Sequence, residues 1–465
     1  MEHKNAWENY PEGEARQKVM DFAEDYRRFL SKCKTERECV QEFVVLAEQA
    51  GFTDLNELLA KGTPVKAGDK VYVNHMGKAL ALFVIGTQEL EKGMNILGAH
   101  IDSPRLDIKQ VPLYEDTELA LLDTHYYGGV KKYQWVTLPL AIHGVFAKKD
   151  GTVVNVNIGD KPGDPVFGIS DLLPHLAAEQ MEKKGSKLIE GERLDLLIGS
   201  IPMQNDEKDE KEKEAVKKNI LKILKEAYHI EEEDFLSAEL EVVPAGEARD
   251  YGFDRSMIMG YGHDDRVCAY PSFLATLQVQ KPEKTSVCLL VDKEEIGSVG
   301  ATGMHSRFFE DTVAEILNLQ GVFSELALRR AMRNSCVLSS DVSAAYDPNY
   351  PEVTEKRNGA YFGKGLVFNK YTGARGKSGS NDANAEYMAR IRNILDERKI
   401  TFQTAELGKV DQGGGGTIAY ILANYGMQVI DSGVPVLSMH APWEIISKVD
   451  LYEALQGYEA FLDMV

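Results

Sequence analysis

Apolar and polar positions along this chain follow a helical period, then a strand period, then an alternation of the two. Over about the first 60 residues the period is helical. Val19, Phe22, Tyr26, Phe29 and Leu30 fall on one stripe and predict an amphipathic helix with a buried face. Lys70–Asn74 and Lys78–Ile85 are β-rich runs flanking the turn-like Met76-Gly77, which predicts a hairpin. Met94–His100 reads as another short apolar strand, ending at Asp102-Ser103-Pro104. From about Leu106 to Gly246, short strands such as Thr137–Phe146 and Thr152–Ile158 alternate with turn clusters, and few helices are expected. Asn205–Lys218 is a mixed-charge run that reads as a solvated loop or helix face. It leads into an amphipathic helix carrying Val216, Ile220, Leu224 and Ala227.

After Met257, strands and helices alternate. Ser286–Val291, Ser335–Ser339, Thr401–Thr404, Val429–Asp431 and Pro435–Met439 read as strands. Ala383–Arg398, Thr417–Tyr425 and Val449–Leu462 read as helices. Such alternation predicts an α/β fold with a mixed, largely parallel sheet flanked by helices. The N-terminal strands and the C-terminal half are expected to share that sheet, as a domain of residues 1–106 plus 247–465. Residues 107–246 would then be an inserted β-rich domain. There is no internal repeat at a period of 20–50 residues.

The 465 residues carry 53 basic and 73 acidic side chains, for a net charge of −20. That balance argues against nucleic acid or an anionic membrane as the main partner, since both need a basic footprint. The five cysteines are scattered and form no C-x-x-C pair, which fits a reducing compartment better than a disulfide scaffold. Met1–Arg16 has no apolar core of the kind a signal peptide needs. The longest apolar run, Ala79–Ile85, is far short of the about 20 residues of a membrane span. The expectation is a soluble cytoplasmic protein.

Five stretches rich in acid or histidine sit at the carboxyl ends of short apolar strands or in the loops leaving them. They are Gly98–Pro104, Gly262–Arg266, Asp292–Gly297, Ser339–Ser343 and Ser438–Pro442. In open α/β sheets the ligand crevice lies beyond those ends. Imidazole and carboxylate are zinc ligands. Two metals sharing one carboxylate need about two histidines and three carboxylates, with a further carboxylate left as base. Glu294-Glu295 follows the apolar run Val287–Val291 directly. Two carboxylates beside a buried strand end are costly unless a cation stabilises them.

These stretches, in this order, resemble the aspartyl aminopeptidase/aminopeptidase I family of di-zinc exopeptidases. The resemblance runs along nearly the whole chain. It is most specific at Ala99–Pro104, Gly262–Arg266, Glu294–Gly303, Ser340–Val342 and Met439-His440. It implies two Zn2+ per subunit, with Co2+ or Mn2+ as substitutes. His100 and Asp341 would hold the first zinc, Asp264 would bridge, and Glu295 and His440 would hold the second. Asp102 would orient the His100 imidazole. Glu294 would be the general base, and the Asp264–Asp265 peptide would be cis. Adjacent residues in extended backbone point in opposite directions, so one glutamate could bind metal while its neighbour faces the water.

The resemblance also implies a homo-oligomer, commonly a tetrahedral dodecamer, that takes peptides as substrates. His175 in Pro174–Ala177 would reach a neighbouring subunit's active site. Arg375, in Gly373–Ser380, is the candidate anchor for a substrate side chain. Gly414, in the run Gly413–Gly416, would bring backbone N–H groups to a substrate carbonyl or carboxylate. That run is richer in glycine than acidic-specific members lead one to expect, so an acidic or a neutral first residue is expected to be removed. Gly373–Ser378 lacks the spacing of a phosphate loop. His263 is a candidate neighbour of the metal ligands, and Trp7, Trp135 and Trp443 read as packing residues. Two other functions fit the same residues: another di-zinc amidohydrolase (a deacylase or carboxypeptidase), and a non-catalytic assembly protein that kept the fold.

Overall fold

The computed structural model describes residues 4–204, 213–373 and 375–464. The charged run expected at 205–218 therefore lies outside the described residues over 205–212. The chain divides into two compact units. One comprises Met1–Ser103, Ala248–Met439 and Glu444–Val465; the other comprises Pro104–Glu247 and His440–Trp443.

The first unit is built on a nine-stranded mixed sheet. Its middle is parallel. Strand Met94–His100 lies between Thr285–Val291 and Cys336–Ser340, and Gln428–Gly433 continues the parallel run beyond Cys336–Ser340. The expected hairpin forms from Lys70–His75 and Ala79–Val84, and the latter pairs antiparallel with Thr285–Val291. Strands from both ends of the chain thus share one sheet. Helices cover both of its faces, which is why its central strands read as unbroken apolar runs. Along one strand, Leu97 and Ala99 pack into one core cluster while Met94 and Ile96 pack into another. The first cluster takes in helices Glu14–Lys32, Glu36–Gln49, His263–Gln278, Ala385–Glu397 and Lys448–Leu462. The second takes in Phe308–Leu319, Glu325–Arg333 and Ala419–Ala423. The stripe read from the N-terminal sequence is real: Val19, Tyr26, Phe29 and Leu30 are buried and Phe22 packs against the core.

A second, five-stranded sheet of short strands completes this unit: Arg249–Tyr251, Met257–Gly260, Glu444–Ser447, Pro435–Leu437 and Ser343–Ala344. Of these, Pro435–Leu437 falls within the strand read at Pro435–Met439; the others, of two to four residues, carry too little periodicity to be read from sequence.

The second unit is β-rich. Six antiparallel strands pair around the long hairpin Arg105–Asp116 and Leu119–Tyr127, with helix Ala215–Tyr228 packed against it. Trp135 is fully buried, in keeping with a packing role.

Candidate metal centre

The site begins where strand Met94–His100 ends. His100 is buried, and its two ring nitrogens face different partners. Nδ1 lies 3.2 Å from Asp102 Oδ1 and 3.0 Å from the Asp102 carbonyl oxygen. Nε2 lies 3.2 Å from Asp264 Oδ1, 3.9 Å from Glu294 Oε2 and 3.9 Å from Asp341 Oδ1. The side chains of Asp102, Asp264 and Asp341 come from three separate strand ends or the loops beyond them. Ligand atoms of His100, Asp264 and Glu295 lie within 4.8 Å of one another, and so do those of His100, Asp265 and Asp341.

Asp102 ties two loops together. Besides the His100 ring, its Oδ1 accepts the Glu294 N–H and its Oδ2 accepts the Glu295 N–H, each at 3.2 Å. The two glutamates do not lie in extended backbone. They form the 3-10 turn Glu294–Ile296, entered and left through positive φ at Lys293 and Gly297. The reason is geometric: successive amides point the same way in a turn but opposite ways in a strand, and here both must reach one carboxylate. Asp292 steadies this loop. It is buried and accepts the Lys293 amide at 2.8 Å, the Thr302 hydroxyl at 2.5 Å and Lys293 Nζ at 3.0 Å.

The Gly262–Arg266 stretch wraps the other side of His100. The Asp264–Asp265 peptide is cis. Asp264 donates its amide to Glu444 Oε2 at 3.0 Å and receives the Ser103 hydroxyl on its carbonyl at 2.5 Å. Asp265 Oδ2 accepts the His100 amide at 3.3 Å. Arg266 is buried and fastens the stretch to its surroundings, donating to the Lys34 carbonyl, the Ser103 hydroxyl and the Gly262 carbonyl. His263 turns away into the core, where its Nδ1 meets the Tyr26 hydroxyl at 2.8 Å; burial pushes its pKa down to about 3 and keeps it neutral.

The electrostatics ask for a cation. Burial disfavours a charged His100, yet the carboxylates of Asp102 and Asp264 override it and hold its pKa well above 6.5. Burial, then the charge of Glu294, pushes Asp341 well above the usual carboxylate range. Burial, with the neighbouring Asp264 charge, does the same to Asp265. One imidazole and several acids crowded out of water are a donor set that a divalent metal satisfies. The residues fit zinc.

Sequence reasoning placed Asp265, Arg266 and Asp292 in its candidate stretches but gave their side chains no role. The doublet Asp264-Asp265 was the available signal for the first, since a second acid beside a bridging one shares its surroundings.

Comparison with known proteins identifies the family. A model of the family described as aminopeptidase I zinc metalloprotease (M18) matches residues 29–462. A probable M18 family aminopeptidase 1 of Clostridium acetobutylicum is 64% identical over 462 residues, covering 99% of this chain and 98% of that protein. The chain belongs to the M18 aminopeptidase family. Two solved structures agree. The aminopeptidase I of C. acetobutylicum has a TM-score of 0.92 at 63% identity, with 99% of each chain covered. The M18 aminopeptidase of Thermotoga maritima has a TM-score of 0.94 at 47% identity, with both chains covered completely. As an M18 member, this protein is a zinc-dependent aminopeptidase, a hydrolase acting on peptide bonds. Among the described residues, no helix is long and apolar enough to cross a membrane.

The remaining expected site residues fall in two places. Arg375 is exposed and lines a cavity of about 360 Å3 together with Tyr371, Lys377, Glu406, Lys409 and Gly413. The glycine run is thus brought beside Arg375, and the Gly415 amide donates to the Thr372 carbonyl at 2.8 Å. Gly414 itself is exposed, with φ of +116°. Lys377 is already engaged, 3.0 Å from Asp382 Oδ2 and over the Tyr371 ring. In the second unit, His175 is exposed in the short turn Pro174–Leu176 and lines a cavity of about 670 Å3 with Asp171, Lys183 and Arg193. His440 is counted in that unit, where its Nδ1 lies 3.0 Å from the Gly129 carbonyl oxygen.

Proposed function

We propose that this M18 aminopeptidase uses two zinc ions per subunit to remove an acidic or neutral N-terminal residue from peptides. The observation that carries the reading is the convergence of Asp264, Glu294 and Asp341 on the outer nitrogen of a single buried histidine, His100. His100 and Asp341 would hold one zinc, Asp264 would be shared by both, and Glu295 with His440 would hold the other. The roles of His440 and of the bridge rest on the family resemblance. When bound, zinc supplies Lewis acidity toward the scissile carbonyl and the attacking water; Co2+ or Mn2+ can take its place.

Glu294 acts as general base: it takes the proton of the attacking water and delivers it to the leaving amine. A glutamate bound as a ligand could not shuttle that proton, so the ligand role goes to Glu295. Asp102 fixes the His100 ring through Nδ1 and the glutamate turn through two amides, so that base and ligands keep one geometry. Arg375 anchors an acidic side chain of the substrate, and the Gly414 amide, between the engaged amides of Gly413 and Gly415, grips its polar end. The cavity that Arg375 shares with the neighbouring Gly413 supports the pairing.

Subunits assemble into a homo-oligomer, a tetrahedral dodecamer by family resemblance, in which the 104–247 region makes contacts and His175 serves a neighbour's site. The exposed Leu172, Leu173, Leu176 and Met181 of that region support a role in contacts. The five buried free thiols support a cytoplasmic location.

A peptide panel differing only at the first residue tests the reading: Asp, Glu, Leu, Lys, and Leu with an acetylated amine, with zinc or cobalt added. Release of the first residue from free-amine peptides alone is expected. An Asp or Glu preference supports Arg375 as anchor, and a Leu preference removes it. Cleavage of the acetylated peptide overturns the aminopeptidase reading in favour of a deacylase.

A further inference from the structure

One row of the main sheet lies immediately before the residues of the metal centre. Parallel register sets Asp431 beside Ser339 and Ser339 beside Gly98. Paired positions share a face of the sheet. His100 follows Gly98 by two residues and Asp341 follows Ser339 by two, so the next row on that face carries both. Asp431 is only 3% exposed. A carboxyl buried so deeply is costly unless something holds it.

What holds it is Thr417. The Thr417 hydroxyl donates to Asp431 Oδ1 at 2.5 Å and accepts the Ala419 amide at 3.3 Å. Asp431 Oδ2 is buried and meets no hydrogen-bond partner among the described residues. Burial pushes the Asp431 carboxyl up to about 7, against the pull of Thr417, and the charge of Glu294 adds to the rise. Asp431 is therefore within electrostatic reach of the base. Thr417 closes the run Gly413–Gly416, four residues with no side chains to restrain their backbone. That run is pinned by the Gly415 amide on the Thr372 carbonyl before it and by the Thr417 hydroxyl after it. The next residue presses on the same row: a Cβ at Gly98 would lie 3.2 Å from Ile418 Cδ1.

The geometry points to Asp431 as a positioning residue that, through the Thr417 hydroxyl, holds the glycine run in the conformation that grips substrate. This rests on the reading of that run as a substrate-binding element. Asp431 touches no substrate and acts through Thr417. An alcohol would anchor Thr417 at lower desolvation cost; a buried carboxyl offers a fixed acceptor where backbone must stay rigid.

The test uses the full-length, zinc-loaded protein and free-amine peptides. Thr417→Val keeps the side-chain shape and removes the donor. It is expected to raise KM about tenfold, with kcat, zinc content and thermal midpoint nearly unchanged. Thr417→Ser, which restores a hydroxyl, recovers most of that loss. Asp431→Leu, which removes the acceptor at similar volume, raises KM similarly, and the double variant is no worse than either single one, because both break the same link. An unchanged KM in Thr417→Val, or a lowered midpoint with KM intact, assigns the pair a purely structural role and overturns the proposal. Additive effects in the double variant overturn it as well. Should Asp431→Leu fail to fold, the Val and Ser variants still decide. Failure of the function itself looks different: wild-type protein would cleave the acetylated peptide, whatever Thr417 does to KM.

Discussion

Asp102 Oδ1 faces His100 Nδ1 across 3.2 Å and also receives the Glu294 amide, while Asp102 Oδ2 receives the Glu295 amide. One carboxylate therefore sets the imidazole of one loop and the backbone of another. Asp102→Asn keeps the volume but turns one acceptor into a donor aimed at an N–H group. Zinc binding is expected to weaken by about tenfold to a hundredfold. A competitive zinc titration with a chromogenic chelator measures it, and equal affinity in the variant would show that Asp102 does not tune the site.

Glu294→Gln separates the base from the ligands. Metal content should stay at the wild-type level while kcat drops by a factor of about 100 or more. Metal analysis alongside steady-state kinetics gives both numbers. Turnover surviving the change, or metal lost with it, would move the base role away from Glu294.

Metal removal should destabilise the fold. Without a cation, the buried acids around His100 repel one another, and a ligand that binds only the folded state stabilises it by mass action. Chelation is expected to lower the thermal midpoint and added zinc to restore it. A midpoint indifferent to chelator would mean that the crowded acids need no cation.

Gly262→Ala tests how tightly the Arg266 anchor is set. Gly262 has φ of +77°, and a Cβ there would lie 1.6 Å from Arg266 Nη1. Arg266 cannot yield without leaving the Lys34 and Ser103 oxygens. The cost is expected to be about 2–4 kcal/mol, read from denaturant unfolding; a loss near zero would show the anchor to be slack.

Asp450 gives a pH dependence remote from the metal. It accepts the amides of Gly363 and Gly365 at 2.8 and 2.7 Å. Burial pushes its pKa from 3.8 up to about 8, against the pull of those two amides. A carboxyl raised in the folded state holds its proton more tightly there than in the unfolded chain. Its contribution is full below about pH 4 and is lost as pH rises through about 8. The unfolding free energy should fall over that window, with a slope that Asp450→Asn flattens. Equal slopes in the two proteins would show that Asp450 does not titrate there.

Much of this was legible in the chain. The strand ending at His100, the hairpin before it and the helices of the C-terminal half follow from periods of two and 3.6 residues, because each buries one continuous apolar face. The acids at strand ends stood out because a carboxylate beside an apolar run needs a reason. What stayed hidden depends on three dimensions. The small sheet with Ser343–Ala344 is built of pieces too short to carry a period. The turn at Glu294 reverses an expectation of extended backbone, since the amide partner, Asp102, lies 192 residues away. Asp431 reads as the end of an ordinary strand until register sets it one row before His100.

The order of strands has a consequence for when the enzyme becomes active. The strand that ends at His100 finds its neighbours only in Thr285–Val291 and Cys336–Ser340, which are synthesised long after it. Apart from Asp102, the acids that face His100 (Asp264, Glu294 and Asp341) also lie in stretches synthesised well after it. A growing chain holds an imidazole but no site, and any product truncated before the middle strands is inert. The protease is thus silent throughout its own synthesis, and its hydrolytic power appears only in a chain whose two halves have already found each other.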